Sequence, residues 1–385
     1  MTSLPHVPLL AAHGAGGTPA GRRRAPSAQI PALLALLSAL LVGALLGGVA
    51  ARRGAGRGGG GNTALAADAA LRVASFNQKH ASAVTDVLYA RMPAQYIEAQ
   101  RAARAVCPAC PPEPPADPDS ALEFRRAMLA AGAGLANLSA EIGLSAAQPP
   151  IDTHAMSRGA GFITGGLYEA DLITASLQAA TGHPLGGPAP RSVLDFGGSS
   201  GRVARVLSAA FPDSSFSLCD PNPKSIEWAA AHAPRIRAFV SGSDPPLPGI
   251  DAGAYDAVYA VSIWSHYAEA SAAAWLAEVH RVLRQGGALY FTAHGYQSLR
   301  YYSSRRALPE HNIAAVTADL RDRGFHFDDF FGSAGDWGVV SKGWGHSYLT
   351  PAWLEAAVAG RFRIKHWCAG CEQDNQDAYV LVKDQ

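Results

Sequence analysis

The chain has 385 residues, 48% of them apolar, which is enough to bury a full core with room for a second small unit. A net charge of +1 with 16% charged residues leaves no basic footprint for nucleic acid. Arg22 to Arg24 and Arg52, Arg53 and Arg57 do cluster, but they flank an apolar run and so argue for a membrane segment and against DNA.

Residues 1–29 read as a polar tail bearing Gly, Pro and Arg. The run from Ile30 to Ala50 holds 21 residues and no charge. As a helix rising about 1.5 Å per residue it reaches about 31 Å, against a bilayer core of about 30 Å. A cleaved signal has a shorter apolar region of about 7–15 residues, so an uncleaved transmembrane anchor over 30–50 is expected. An organelle-targeting (plastid) segment is the alternative, because the first 67 residues contain no Asp or Glu. Arginines on both sides leave the orientation open. Residues 51–62, with four glycines at 58–61, read as a flexible linker. Residues 63–154 read as a helical stem or cap, with helices over 64–92 and 95–106 and then a proline-rich loop. A third helix is expected after Ser120, where Ser120-Ala-Leu-Glu123 has the form of a capping box. This extension carries no catalytic constellation.

From 155 to 385 strands alternate with helices. Strands are expected at 192–196, 215–219, 236–240, 257–261, 288–292, 362–367 and 378–382. Their continuous apolar character suits a buried parallel sheet. Helical stripes fall between them, at 203–210, 273–283 and after Thr350-Pro351. This order predicts an α/β fold, a doubly wound, mostly parallel seven-stranded sheet.

Five cysteines include the pairs Cys107-Pro-Ala-Cys110 and Cys368-Ala-Gly-Cys371, with Cys219 left over. Zinc, disulfides and unpaired thiols all stay open for them, although 257 residues between the pairs are far from zinc-ribbon spacing. No metal is assigned. The sequon Asn137-Leu-Ser139 fits a single-pass protein with its catalytic domain in the Golgi or ER lumen.

The chemistry concentrates in Ser192-Val-Leu-Asp-Phe-Gly-Gly-Ser-Ser-Gly-Arg-Val203, a strand running through a glycine-dense turn into a helix. A dinucleotide loop wants G-x-G-x-x-G, whereas here the glycines are Gly197, Gly198 and Gly201. Asp220 falls 25 residues after Asp195, at the end of the second strand and before Pro221. A carboxylate there can accept hydrogen bonds from the two hydroxyls of a ribose. The turn Ser241-Gly-Ser-Asp244 follows the third strand, within reach of an adenine. His266 and His294 both fall just past strand ends on the same side. Each can act as an acid or base near neutral pH or simply hydrogen-bond a loop in place. The loop Trp337 to Tyr348 alternates aromatics with glycine, as a mobile lid, a sugar-stacking wall or plain packing would.

In order, Asp195 with G-x-x-x-G, the segment Tyr255 to His266, Trp275-Leu-Ala-Glu-Val-His-Arg-Val-Leu-Arg-Gln-Gly-Gly287 and Leu289-Tyr-Phe-Thr-Ala-His-Gly295 resemble class I, bacterial-type S-adenosylmethionine-dependent methyltransferases. Phe162-Ile-Thr-Gly-Gly166 and Gln376-Asp377 extend the likeness across roughly 155–385. The chain departs at Ser199, in place of the usual middle residue, and at Gln285, in place of proline. The resemblance implies a Rossmann-like methyltransferase fold and S-adenosylmethionine as cofactor. It implies that Asp195, Gly197, Gly198, Gly201, Asp220 with Pro221, and Ser241 hold that cofactor, with Ser262 at its methionine end. His266 and His294 become the acid–base candidates. The expected acceptor is a hydroxyl on a saccharide or other small molecule. A non-catalytic scaffold of the same fold and a nicotinamide oxidoreductase are the alternatives.

Overall fold

A computed structural model describes residues 81–384, except 106–116, 152, 154–156, 184, 186–188, 190, 306, 308–309, 330, 333–334, 337–338 and 340. Helices α1 (Ala83–Tyr89), α2 (Ala94–Ala105), α3 (Pro118–Ala133), α4 (Ala136–Ile142) and α5 (Ala160–Thr181) come first. There follow β1 (Ser192–Phe196), α6 (Arg202–Ala210), β2 (Ser215–Asp220), α7 (Pro223–His232), β3 (Ile236–Val240), β4 (Tyr255–Ala260), α8 (Glu269–Val282) and β5 (Leu283–Ala293). The chain closes with α9 (Tyr296–Ser304), α10 (Glu310–Asp322), β6 (Phe325–Asp328), β7 (His346–Leu349), α11 (Pro351–Val358), β8 (Phe362–Glu372) and β9 (Gln376–Lys383).

The main sheet has the order β3-β2-β1-β4-β5-β9-β8, with a separate two-stranded ribbon of β6 and β7. β3, β2, β1, β4 and β5 run parallel, while β9 lies antiparallel between β5 and β8. The winding reverses between β1 and β4, and in such sheets the ligand crevice opens beyond the carboxyl ends of those two strands. β1 and β4 are buried along most of their length, as apolar runs such as Ala-Val-Tyr-Ala in β4 require.

One apolar cluster covers one face of the sheet, joining Val193, Phe216 and Tyr290 to Leu167 and Ile173 of α5 and Val206 and Leu207 of α6. Val84, Leu88, Phe124, Leu129 and Ile142 of the preceding helices belong to that same cluster. Polar contacts reinforce the seam. Buried Asp171 on α5 accepts the Val84 and Thr85 amides at 2.8 and 2.9 Å and the Arg126 guanidinium at 2.9 Å. Arg205 on α6 reaches back to the Ala147 carbonyl at 2.8 Å. The opposite face is packed by Trp275, Leu276 and Val279 of α8 and Leu354 of α11.

Among the described residues no helix is long and apolar enough to cross a membrane. Even α5, with 22 residues, carries Glu169 and Asp171. The apolar run 30–50 lies outside the described residues. The expected fold class is therefore corrected: the Rossmann-like sheet is present, and the transmembrane segment, with the membrane contact attached to it, is no part of the observed fold. The helix expected to cap at Ser120 starts earlier, because Asp117 caps it through the Asp119 and Ser120 amides and Pro118 takes the first turn. Cys368 and Cys371 are joined as a disulfide and Cys219 is buried, while Cys107 and Cys110 lie outside the described residues.

Candidate active site

The glycine turn sits at the carboxyl end of β1. The Gly197 and Gly198 amides both donate to the Cys219 carbonyl, at 2.9 and 3.1 Å, which ties the turn onto β2. A Cβ on Gly198 would stand 2.3 Å from Cγ of Asp195 and from Cδ1 of Leu218, and one on Gly197 would stand 2.3 Å from Cδ1 of Ile263. The turn thus lies directly on the Asp195 carboxylate and against the first residues after β4. Burial lifts the Asp195 carboxyl to about 7, opposed by the Tyr259 hydroxyl and Arg202. Ser199 holds φ 52°, a left-handed conformation that costs an L-residue about 1–2 kcal/mol. Gly201, at φ 78°, caps α6.

Asp220 closes β2 and is 9% exposed. One carboxylate oxygen accepts the Ser199 amide at 2.9 Å and the other accepts the Asn222 amide at 2.8 Å. A carboxylate oxygen has two lone pairs, so each retains acceptor capacity for one hydroxyl of a vicinal diol. Burial raises this carboxyl to about 6, and the two amide bonds resist the rise. Ser241, buried at the end of β3, donates its amide to the Asp220 carbonyl at 3.1 Å. Pro221 precedes Asn222, whose side chain caps α7 through the Lys224 and Ser225 amides. Gly197, Gly198, Gly201, Asp220, Pro221 and Ser241 thus lie together at one rim, with Asp195 beneath the turn. A turn with no room for a Cβ at Gly197 or Gly198 and a buried carboxylate beside it would fit an adenosyl group.

The opposite rim is built from distant pieces. Past β4, Ser262 adopts φ 60° and donates its amide to Oγ1 of Thr292 on β5 at 2.7 Å. The ribbon end then docks alongside. The Gly345 amide donates to the His266 carbonyl and the Ser347 amide to the Ser265 carbonyl, both at 2.8 Å, and the Leu349 amide to the His294 carbonyl at 2.9 Å. Nδ1 of His266 lies 2.7 Å from the Gly345 carbonyl. A carbonyl can only accept, so in the neutral ring Nδ1 carries the proton and Nε2 the basic lone pair.

His294 differs. It is 4% exposed, its Nδ1 faces the Ser347 carbonyl at 3.2 Å, and its Nε2 faces the Tyr302 hydroxyl at 3.3 Å and the Gln376 amide nitrogen at 3.4 Å. Burial pushes its basicity down to about 3, helped by His266 and His346 nearby. That environment suits a neutral hydrogen-bonding hub better than a base. Trp344 stacks on His266, with ring centres 4.8 Å apart, and donates its indole N–H to Asp336 at 3.1 Å. With one face on His266 and its N–H on Asp336, Trp344 packs the rim, and residues 343–349 are sewn down by backbone bonds; Trp337 lies outside the described residues. Gln376, Thr292, Tyr302 and Gly345 had no role assigned from the sequence. Gln376 lay in the pair Gln376-Asp377, Thr292 in Leu289 to Gly295 and Gly345 in the loop Trp337 to Tyr348, while Tyr302 lay in no motif.

Residues 193–287 match the model of a family described as a methyltransferase domain. No curated protein matches the chain. Among solved structures the chain is similar to an S-adenosylmethionine-dependent methyltransferase from Mesorhizobium loti, at 14% identity over 56% of this chain and 98% of that one, TM-score 0.37. It is also similar to a magnesium protoporphyrin IX methyltransferase from Synechocystis, at 14% identity over 58% and 87%, TM-score 0.38. A third is the 1,6-didemethyltoxoflavin-N1-methyltransferase of Burkholderia thailandensis, at 14% identity over 55% and 76%, TM-score 0.36. At such identity the likeness extends to none of their substrates.

Proposed function

We propose that this class I S-adenosylmethionine-dependent methyltransferase delivers its methyl group to a hydroxyl of a small molecule, with His266 as the base. One observation carries the proposal. Past β4, beside the glycine turn, the Gly345 carbonyl 2.7 Å from Nδ1 of His266 sets the tautomer that leaves Nε2 basic. When bound, S-adenosylmethionine supplies a methyl group already activated on a sulfonium. The protein then has mainly to orient the acceptor and receive its proton. Asp220 would hold the ribose hydroxyls, the turn Gly197 to Gly201 would give the cofactor close backbone approach, and Ser241 would border the adenine. Ser262 would border the methionine end. His266 would take the hydroxyl proton at Nε2, while His294 would keep Ser347 and Tyr302 in place. Trp344 is stacked on His266, so a saccharide is one acceptor class among several.

The test is transfer of labelled methyl from S-adenosylmethionine to a panel of saccharide, phenolic, amine and thiol acceptors. Label on a hydroxyl is expected, and His266→Gln should lower turnover by about 10²–10⁴-fold, the usual contribution of a positioned base. Label only on amines or thiols, or undiminished turnover in His266→Gln, would overturn the reading. Cofactor binding with no transfer to any acceptor would favour a non-catalytic scaffold.

A further inference from the structure

Ser262 sits at the mouth of β4 in a conformation that L-residues avoid, so something must hold it there. Its amide donates to Oγ1 of Thr292 at 2.7 Å. That hydroxyl has one proton, which it donates to Oε1 of Gln376 at 2.7 Å. The Gln376 amide orientation follows: with its oxygen on Thr292, its nitrogen faces Oγ of Ser262 at 2.8 Å and Nε2 of His294 at 3.4 Å. Ser262 is thus gripped at its amide through Thr292 and at its hydroxyl by Gln376, with Oγ of Ser265 also 3.1 Å from that hydroxyl. Gln376 is 7% exposed and opens β9, which is antiparallel to β5, so its side chain crosses β5 to reach the end of β4. An amide suits this place because it accepts on one side and donates on the other.

We infer that Gln376 is a positioning residue of the cofactor site, a clamp from β9 that holds Ser262 in its left-handed turn and so shapes the methionine end of the crevice. The inference rests on the placing of Ser262 beside S-adenosylmethionine. Its signature is a dependence on backbone strain. Glycine adopts φ near +60° at no steric penalty, so a chain with Ser262→Gly needs the clamp less.

The experiment is calorimetric titration of S-adenosylmethionine into four full-length proteins: wild type, Gln376→Met, Ser262→Gly and the double variant. Thermal midpoints establish that each is folded at the working temperature. Gln376→Met should weaken binding about tenfold in the serine background and less than threefold in the glycine background. A purely structural glutamine would lower the thermal midpoint and leave both affinities in place. Equal affinity of wild type and Gln376→Met would overturn the clamp, as would the same loss in both backgrounds. Should Gln376→Met not fold, Gln376→Leu takes its place, since Ser262 could still donate its hydroxyl to a glutamate there, with the same relief by glycine expected. Failure of the wild type to bind S-adenosylmethionine would instead sink the placing of the cofactor.

Discussion

The two rims of the crevice do comparable work and are assembled differently. On the β1–β2 rim each decisive contact is short in sequence: Asp220 reaches Asn222 two residues on and Ser199 21 residues back. On the β4–β5 rim His266 meets Gly345 79 residues away, and Ser262 meets Gln376 114 residues away. On the proposed reading, a cofactor shared by many reactions would be seated by one local turn, and the side receiving the acceptor would be joined from β4, β5, β7, β9 and the loop before β7. The first rim therefore leaves no room for change at Gly197 and Gly198, while the second distributes its support.

The largest effect expected on the first rim comes from Gly198→Ala. The added methyl would have to displace Asp195 or Leu218 from 2.3 Å, so overpacking of about 1–3 kcal/mol or more is expected. Cofactor affinity should fall about 100-fold in titration, with a lower thermal midpoint. Unchanged values in both would mean that the turn does not lie on Asp195 as described. Asp220→Asn comes next, weakening S-adenosylmethionine by about 1–3 kcal/mol through loss of a charged acceptor.

Asp220 also gives the first rim a pH dependence. Burial lifts its carboxyl to about 6, against about 3.9 in an unfolded chain. Between those values the folded protein keeps a proton that the unfolded chain has released, so this group makes the ligand-free fold less stable as pH rises through that window. Cofactor affinity should run the other way, rising as pH passes about 6 and levelling above it, because the ionised form accepts both hydroxyls. Asp220→Asn should flatten the affinity trend and leave the part of the stability trend that Asp195, lifted to about 7, contributes, and a wild-type affinity independent of pH from 5 to 8 would remove the diol role.

The smallest effect belongs to the second rim. Tyr302→Phe removes one of the donors facing Nε2 of His294 and leaves Gln376 and Ser347 in place. Stability should fall by about 1 kcal/mol in chemical unfolding, with cofactor affinity within twofold of wild type. A tenfold loss of affinity would show that Tyr302 shapes the cofactor side of the crevice and does not only support His294.

This asymmetry also explains what was legible in the sequence. The strand–turn–helix over 192–203 and Asp220 are local patterns, and the structure puts them where spacing predicts. The doubly wound, mostly parallel seven-stranded sheet followed from alternation, while its strand order is read from the structure. His266 and His294 looked equivalent as two histidines past strand ends, and only the fold separates them: Nδ1 of His266 is set by the Gly345 carbonyl, while burial pushes the basicity of His294 down to about 3. The β6–β7 ribbon was unreadable because each strand has four residues. α5 escaped because it is buried on several sides and shows no clean apolar stripe. The extension at 81–144 carried no signal for its seam, since Asp171 lies 86 residues from Thr85.

The central claim is that the glycine turn and Asp220 seat S-adenosylmethionine. Titration of the wild-type chain with S-adenosylmethionine and, separately, with NAD tests it most directly. Saturable binding of one S-adenosylmethionine per chain with no binding of NAD is expected. Micromolar NAD binding without S-adenosylmethionine binding would contradict the account.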